Sequence, residues 1–194
     1  MILQTREKQA NALSEINWLG KTFIVKQEKI KSFLLLYESI KNVESPKISQ
    51  LEKVLFECRD CIQLLRESNQ EKSEIFCYLT YIRLQLTCKR SLQLIKPLKN
   101  PNDLMRLYEI IVGNLTEIQS LPLDQYFSDD NSLEKFHNEI DTQITAYRAY
   151  RCYYIGLIIG KNNYKDAVGI MDRCSQYCKS GIENDNTSKV CFLS

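Results

Sequence analysis

The amino-acid sequence predicts an all-α fold: an irregular, tetratricopeptide-like antiparallel array of helices with one short extended segment near 18–25. Three observations predict it. Apolar residues recur at three- and four-residue spacing through most of the 194 residues. Gly (6) and Pro (4) are scarce, whereas Leu, Ile, Lys, Glu and Gln are common, which favours helix over sheet. The stretches between the periodic segments are short, and short connectors between long helices imply antiparallel neighbours.

The elements follow in order. Residues 2–17 carry Ala10, Leu13 and Ile16 near one helical face. Trp18 to Val25 breaks that pattern: Gly20 interrupts it, and Thr22, Phe23, Ile24 and Val25 favour extended backbone. Trp18 is expected to fill a groove between helices. A helix over about 27–43 buries Ile30, Phe33, Leu34, Tyr37 and Ile40. Ser45-Pro46 supplies a cap and a first-turn proline for a third helix reaching Glu67, with Leu51, Val54, Leu55, Cys58, Ile62 and Leu65 inward. A fourth, about 71–95, turns in Ile75, Tyr78, Leu79, Ile82 and Leu86 and stops before Pro97. Asn100-Pro101 repeats the start signal for a fifth helix ending near Ser120.

After a loop at 121–131, either Asn131 or Ser132 can cap a sixth helix that runs to about Gly160. With Asn131 as cap, Glu134 completes a capping box. Lys161-Asn162-Asn163 turns the chain into a seventh helix, about 164–179, with Tyr164, Ala167, Met171 and Cys174 at tetratricopeptide-like spacing. Gly156, the small residue of the preceding helix, falls one position out of that register, and no ~34-residue period recurs elsewhere. The expected organisation is one helical scaffold domain over 1–180 and a disordered tail over 181–194. Irregular arrays of this kind work by presenting surfaces to partners.

Composition restricts function. Net charge is +2 with both signs interleaved, without the concentrated basic bias of a dedicated nucleic-acid binder. A 44% hydrophobic content supports a core without metals or disulfides. The N-terminal residues lack an apolar signal-peptide region, so the eight Cys read as reduced thiols of a cytosolic protein, seven of them packed within helices. No run approaches the roughly 18 apolar residues of a membrane span. The sequons at Asn114 and Asn186 carry no weight without secretion.

Chemistry-bearing residues are few. The single His, His137, has no nucleophile motif to serve and reads as structural; no Gly-rich phosphate loop is present. No catalytic residue, metal or cofactor is expected. Cys58 and Cys61, with Cys174 and Cys178, have ligand-like spacings. The same spacings put residues on one helix face, and the structural reading is preferred. Lys89-Arg90 and the pair Arg148 and Arg151 are the candidate contacts for RNA or a partner, since Arg beside Tyr stacks on bases or touches phosphate. The competing reading is a half-buried Tyr face with solvated Arg heads. Cys191-Phe192-Leu193-Ser194 fits a farnesylation signature at Cys191, and a single lipid with Lys189 as the only nearby base would anchor marginally.

Ordered blocks also carry a resemblance. They are Gln4-Thr5-Arg6; Trp18 with Gly20 and Thr22; Glu57-Cys58-Arg59-Asp60 with Ile62-Gln63; and Tyr78-Leu79-Thr80-Tyr81-Ile82. Further on come Asp103-Leu104, Arg106-Leu107-Tyr108 and Ile110-Ile111, then Ala149-Tyr150-Arg151-Cys152 and the Ala167 helix. From about residue 3 to 177 the chain resembles the middle part of the sixty-eight-kilodalton subunit family of the eukaryotic signal recognition particle. The resemblance implies a non-enzymatic scaffold segment of a cytosolic ribonucleoprotein that targets nascent secretory and membrane proteins to the endoplasmic reticulum. It implies two partners: the particle's RNA, mainly through an N-terminal family domain absent here, and the seventy-two-kilodalton subunit, through a C-terminal region also absent. The location implied is cytoplasmic, nucleolar during assembly, and at the endoplasmic reticulum. An alternative reading is a divergent or truncated helical protein with its own role, farnesylated at Cys191.

Overall fold

A computed structural model describes residues 15–185. The described chain is 76% helical, with six α-helices and one two-stranded antiparallel sheet, the all-α array that the sequence predicts. The elements are β1 (Glu15–Trp18), β2 (Lys21–Ile24), α1 (Glu28–Lys41), α2 (Ile48–Glu67), α3 (Glu74–Ile95), α4 (Pro101–Ser120), a 3-10 turn (Asp124–Tyr126), α5 (Asp130–Ile159) and α6 (Tyr164–Asp185). They form two compact units. The first holds the described chain up to Leu86 together with Leu121–Ser132; the second holds Thr87–Ser120 and the chain from Leu133 onward.

The first unit opens with a hairpin. Its register pairs Ile16 with Phe23 and Trp18 with Lys21. The helix expected over 2–17 gives way here, because Ile16 and Trp18 alternate as buried residues with exposed Glu15 and Asn17, a period of two. The rest of that expected helix, 2–14, lies outside the described residues. The turn places Leu19 at φ 54° and Gly20 at φ +94°, and a Cβ on Gly20 would meet the Ser128 side chain at 3.1 Å. Glycine is therefore required at position 20 by backbone and space alike. Trp18 is buried among three tyrosines, with ring centroids 5.0 Å from Tyr78, 5.5 Å from Tyr81 and 5.1 Å from Tyr126. Lys21 Nζ donates to the Gln125 carbonyl beside it.

Helix α1 packs on α2. Lys29 pairs with Asp60 at 3.1 Å, and the Cys61 thiol donates to the Lys29 carbonyl at 3.8 Å. Two residues after the expected Ser45-Pro46 start, α2 begins, where Gln50 Oε1 accepts the Lys47 N–H at 3.0 Å and serves the helix end in place of Ser45. It ends in a Schellman motif: Asn69 takes φ 55°, and Gln70 N–H reaches the Leu65 carbonyl at 2.8 Å. Ser73 Oγ then accepts the Phe76 N–H and starts α3 at Glu74. On α3 the expected stripe is buried at Ile75, Leu79, Ile82 and Leu86 but only half-buried at Tyr78, and a second stripe of Cys77, Leu84 and Cys88 is buried on another side. No residue from Ile75 to Ile95 is exposed.

In the second unit, Asn100 and Pro101 start α4 as expected, and Asn100 Oδ1 accepts the Asn102 N–H at 3.1 Å. Leu104, Tyr108, Ile111, Leu115 and Ile118 form its buried face. The end of α3 meets it where the Cys88 thiol points at the Ile111 carbonyl. At the head of α5 the cap is Asp129, not Asn131 or Ser132. Its Oδ1 accepts the Ser132 N–H and its Oδ2 the Ser132 hydroxyl, both at 2.8 Å, so the helix starts at Asp130. Asn163 caps α6 by accepting the Asp166 N–H at 3.2 Å. In the α5–α6 hairpin a Cβ on Gly156 would stand 2.7 Å from the Met171 methyl, and one on Gly160 would stand 3.4 Å from Ala167. Gly156 is thus the small residue over which Met171 crosses, whatever its offset from the repeat spacing. Helix α6 continues to Asp185, into the segment expected as a tail; 186–194 lies outside the described residues.

Two outcomes are expected. Ile82→Ala, at a position with no solvent exposure, should lower stability by about 2–5 kcal/mol, read by urea denaturation through the fluorescence of Trp18, the only tryptophan. The hydrogen bonds from Ser132 hold the Asp129 carboxyl below its ordinary value. The stabilisation from the cap is therefore full above the unfolded-state value and lost as pH falls through the depressed one. The protection of amides 131–133, taken relative to their intrinsic exchange rates, should fall over that acidic window and should not change with pH there in Asp129→Asn.

Candidate functional site: the tyrosine and arginine face of α5

Helix α5 carries Tyr147, Tyr150 and Tyr154 at i, i+3 and i+7, which sets the three rings along one face. Tyr108 of α4 is the ring they share. It stacks nearly parallel on Tyr150, with centroids 5.1 Å apart and planes at 9°, on Tyr154 at 5.7 Å and 13°, and on Tyr147 at 6.1 Å and 29°. Burial pushes the Tyr108 phenol up to about 12, with Tyr154 and Tyr150 adding to the effect. Burial likewise lifts Tyr147 to about 12, with the Cys88 thiol as its next neighbour in effect. Both phenols stay protonated, so the face is an uncharged aromatic layer that is wet at Tyr150, where 52% of the residue remains exposed.

Arg151 lies on the same helix, within the Tyr147–Tyr154 span. One of its guanidinium nitrogens pairs with Glu109 at 3.0 Å, while its Nε is buried without a partner. Arg148, one turn earlier, is exposed. Of the two arginines, Arg151 holds α5 against α4 and Arg148 offers its head to solvent. Lys89 and Arg90 follow Cys88 near the end of α3 and are half-buried; desolvation lowers the Lys89 ammonium. All four basic residues singled out from sequence fall within the second unit. Tyr108 and Glu109 were not among them. Their part comes from a contact between helices, and the only signal in the sequence was the tyrosine spacing on α5.

The cysteines divide by burial. Cys58 and Cys61 sit inside the first unit as thiol donors to backbone carbonyls, and burial raises them to about 12 and about 11. Cys77, Cys88 and Cys152 are buried too, Cys174 is half-buried, and Cys178 is exposed. The reading of seven packed thiols thus fails at Cys178, on the outer side of α6. Cys58 and Cys61 belong to one unit and Cys174 and Cys178 to the other. His137 is half-buried on α5 with its ring edge-on to Phe136. Cys191 lies outside the described residues. No helix among the described residues is long and apolar enough to cross a membrane.

An open groove of about 490 Å³ marks the α5–α6 hairpin, lined by Gly156, Leu157, Tyr164, Val168 and Met171. Leu157, Tyr164 and Val168 are exposed apolar residues of the second unit, as are Tyr150 and Tyr153.

The stacked layer and the ion pair carry different weights. Tyr108→Ala should destabilise the second unit by about 3–5 kcal/mol, whereas Arg151→Lys should cost less than about 1 kcal/mol, because the pair is open to solvent. Thermal unfolding followed by circular dichroism distinguishes the two.

Comparison with known proteins bears on what this face belongs to. The family model described as RNA-binding signal recognition particle 68 matches residues 68–189. The chain is 27% identical over 232 residues to signal recognition particle subunit SRP68 of Drosophila melanogaster, an alignment covering 96% of this chain and 37% of that protein. It is 25% identical over 193 residues to the subunit of the same name in Caenorhabditis elegans, covering 86% and 30%. The chain spans about a third of the length of these curated relatives. The matched segment, which takes in more than half of the chain, includes α3, α4, α5 and α6 with the stacked tyrosines between them, and on that match the chain belongs to the SRP68 family of signal recognition particle proteins.

Proposed function

We propose that the chain is a non-enzymatic scaffold segment of a signal recognition particle subunit, acting in cotranslational targeting of proteins to the endoplasmic reticulum. The family match over 68–189 is the observation that carries the reading. The fold supports it physically. A helical array whose interior is apolar side chains and protonated thiols, and which exposes Tyr150, Tyr153 and Tyr164 on the second unit and Phe56 on the first, is built for contact with other macromolecules. The particle's RNA and the seventy-two-kilodalton subunit are the partners proposed, in the cytoplasm, at the endoplasmic reticulum and in the nucleolus during assembly.

Within this reading the contact surface is the outer side of α5. Arg148 supplies a solvated cation and Tyr150 a half-exposed ring already held flat by Tyr108. A flat ring beside a cation suits a nucleobase stacked above a phosphate. Lys89 and Arg90 are half-buried and Arg151 is tied to Glu109, so these three are assigned supporting roles.

A pull-down of the chain from eukaryotic cytosol, with and without ribonuclease, tests the proposal. The particle's RNA and the seventy-two-kilodalton subunit should both be recovered from untreated cytosol. RNA recovery should fall roughly tenfold for Arg148→Ala with Tyr150→Ala, the loss of one stacked base worth about 1–3 kcal/mol. A protein partner that stays bound after ribonuclease marks protein docking. Recovery of neither overturns the scaffold reading for this segment.

A further inference from the structure

Cys174 and Cys178 stand apart from the other described cysteines in being reachable from solvent together. They are four residues apart on α6, so they share a face. Cys174 Sγ donates to the Ala149 carbonyl of α5 at 3.2 Å, which fixes that sulfur in place, while Cys178 is exposed. The geometry decides what such a pair can hold. Residues four apart on a helix keep their Cβ atoms about 5–6 Å apart, whereas a disulfide needs roughly 3.5–4.5 Å. Direct oxidation would therefore have to unwind the helix. Two metal–sulfur bonds of about 2.3 Å each let the sulfurs stand up to roughly 4.6 Å apart and leave the helix intact.

We propose that Cys174 and Cys178 form a two-thiolate site for a soft monovalent cation, of which monovalent copper is the natural example. Soft thiolate ligands select that ion over harder divalent ones. Among the described residues no group of three His, Cys, Asp or Glu side chains stands in ligating geometry, so the site offers two ligands, which suits an ion content with two. On binding, each thiol gives its proton to solvent, Cys174 giving up its hydrogen bond to the Ala149 carbonyl, and each sulfur donates a lone pair to the ion. No electron changes hands. The proposal is independent of the targeting role.

The test titrates the reduced, full-length chain anaerobically with monovalent copper buffered by a coloured chelator. One ion per chain should be withdrawn from the chelator by the wild type and by Cys191→Ser. Losing a ligand costs at least what losing the partner behind a ligand does, roughly 10- to 100-fold, so Cys178→Ser and Cys174→Ser should bind that much more weakly. Cys178 is exposed, so its serine variant keeps the helical circular dichroism of the wild type and cannot fail by misfolding. Wild-type protein that takes no copper from the chelator overturns the proposal, as does undiminished uptake by Cys178→Ser.

Discussion

The structure depends on a helix with no solvent-facing side. From Ile75 to Ile95, α3 has no exposed residue, and its buried positions fall on two stripes instead of one. A helix apolar on one stripe needs one neighbour; a helix buried on two needs packing from opposite directions. In the first unit that packing comes from α2, through Cys58 and the Leu79 carbonyl, and from the hairpin, through Trp18 and Phe23 against Tyr78. In the second unit it comes from α4, through Cys88 and the Ile111 carbonyl. Cysteine suits these places. It is small enough to allow close approach, and its weak donor satisfies a carbonyl without the cost of burying a stronger polar group.

The helix ends were legible where capping chemistry is local. Asn100-Pro101 and the Asn163 turn did in the structure what their residue types foretell, and Pro97 stands just beyond the end of α3. The legible half of the hairpin was its second strand, where β-branched residues cluster. The first strand was not, because Ala10, Leu13 and Ile16 also satisfy a helical period, and only pairing with Phe23 decides for Ile16. The Asp129 cap was masked by a run of Asp, Asn and Ser, any of which can cap. The second stripe of α3 was hidden for a related reason. A helix buried on two sides shows little amphipathic contrast, so periodicity displays one face and mutes the other.

The tyrosine face shows the same boundary between local and non-local information. Its α5 half is a spacing pattern and could be read directly. Its α4 half is a single ring, Tyr108, and which rings it touches depends on how two helices cross. Electrostatics follow the packing: stacked and buried, the phenols of Tyr108 and Tyr147 are held protonated far above physiological pH, and Arg151, within the Tyr147–Tyr154 span, is drawn to Glu109. The weak net charge of the whole chain thus understates the face, since what matters is which cations remain solvated beside flat rings.

The Trp18 cluster has a consequence for the order in which the protein is made. Tyr126 is one of its three walls, and Lys21 of the hairpin reaches the Gln125 carbonyl 104 residues further along the chain. During synthesis from the N-terminus at roughly 5–20 residues per second, Trp18 leaves the ribosome about 5–20 s before its last wall exists. For that interval the largest side chain in the protein is an open aromatic surface, shielded by Tyr78 and Tyr81 at most. A nascent first unit is therefore a natural client for chaperones, and a transcript ending before residue 121 would encode a chain that cannot close it.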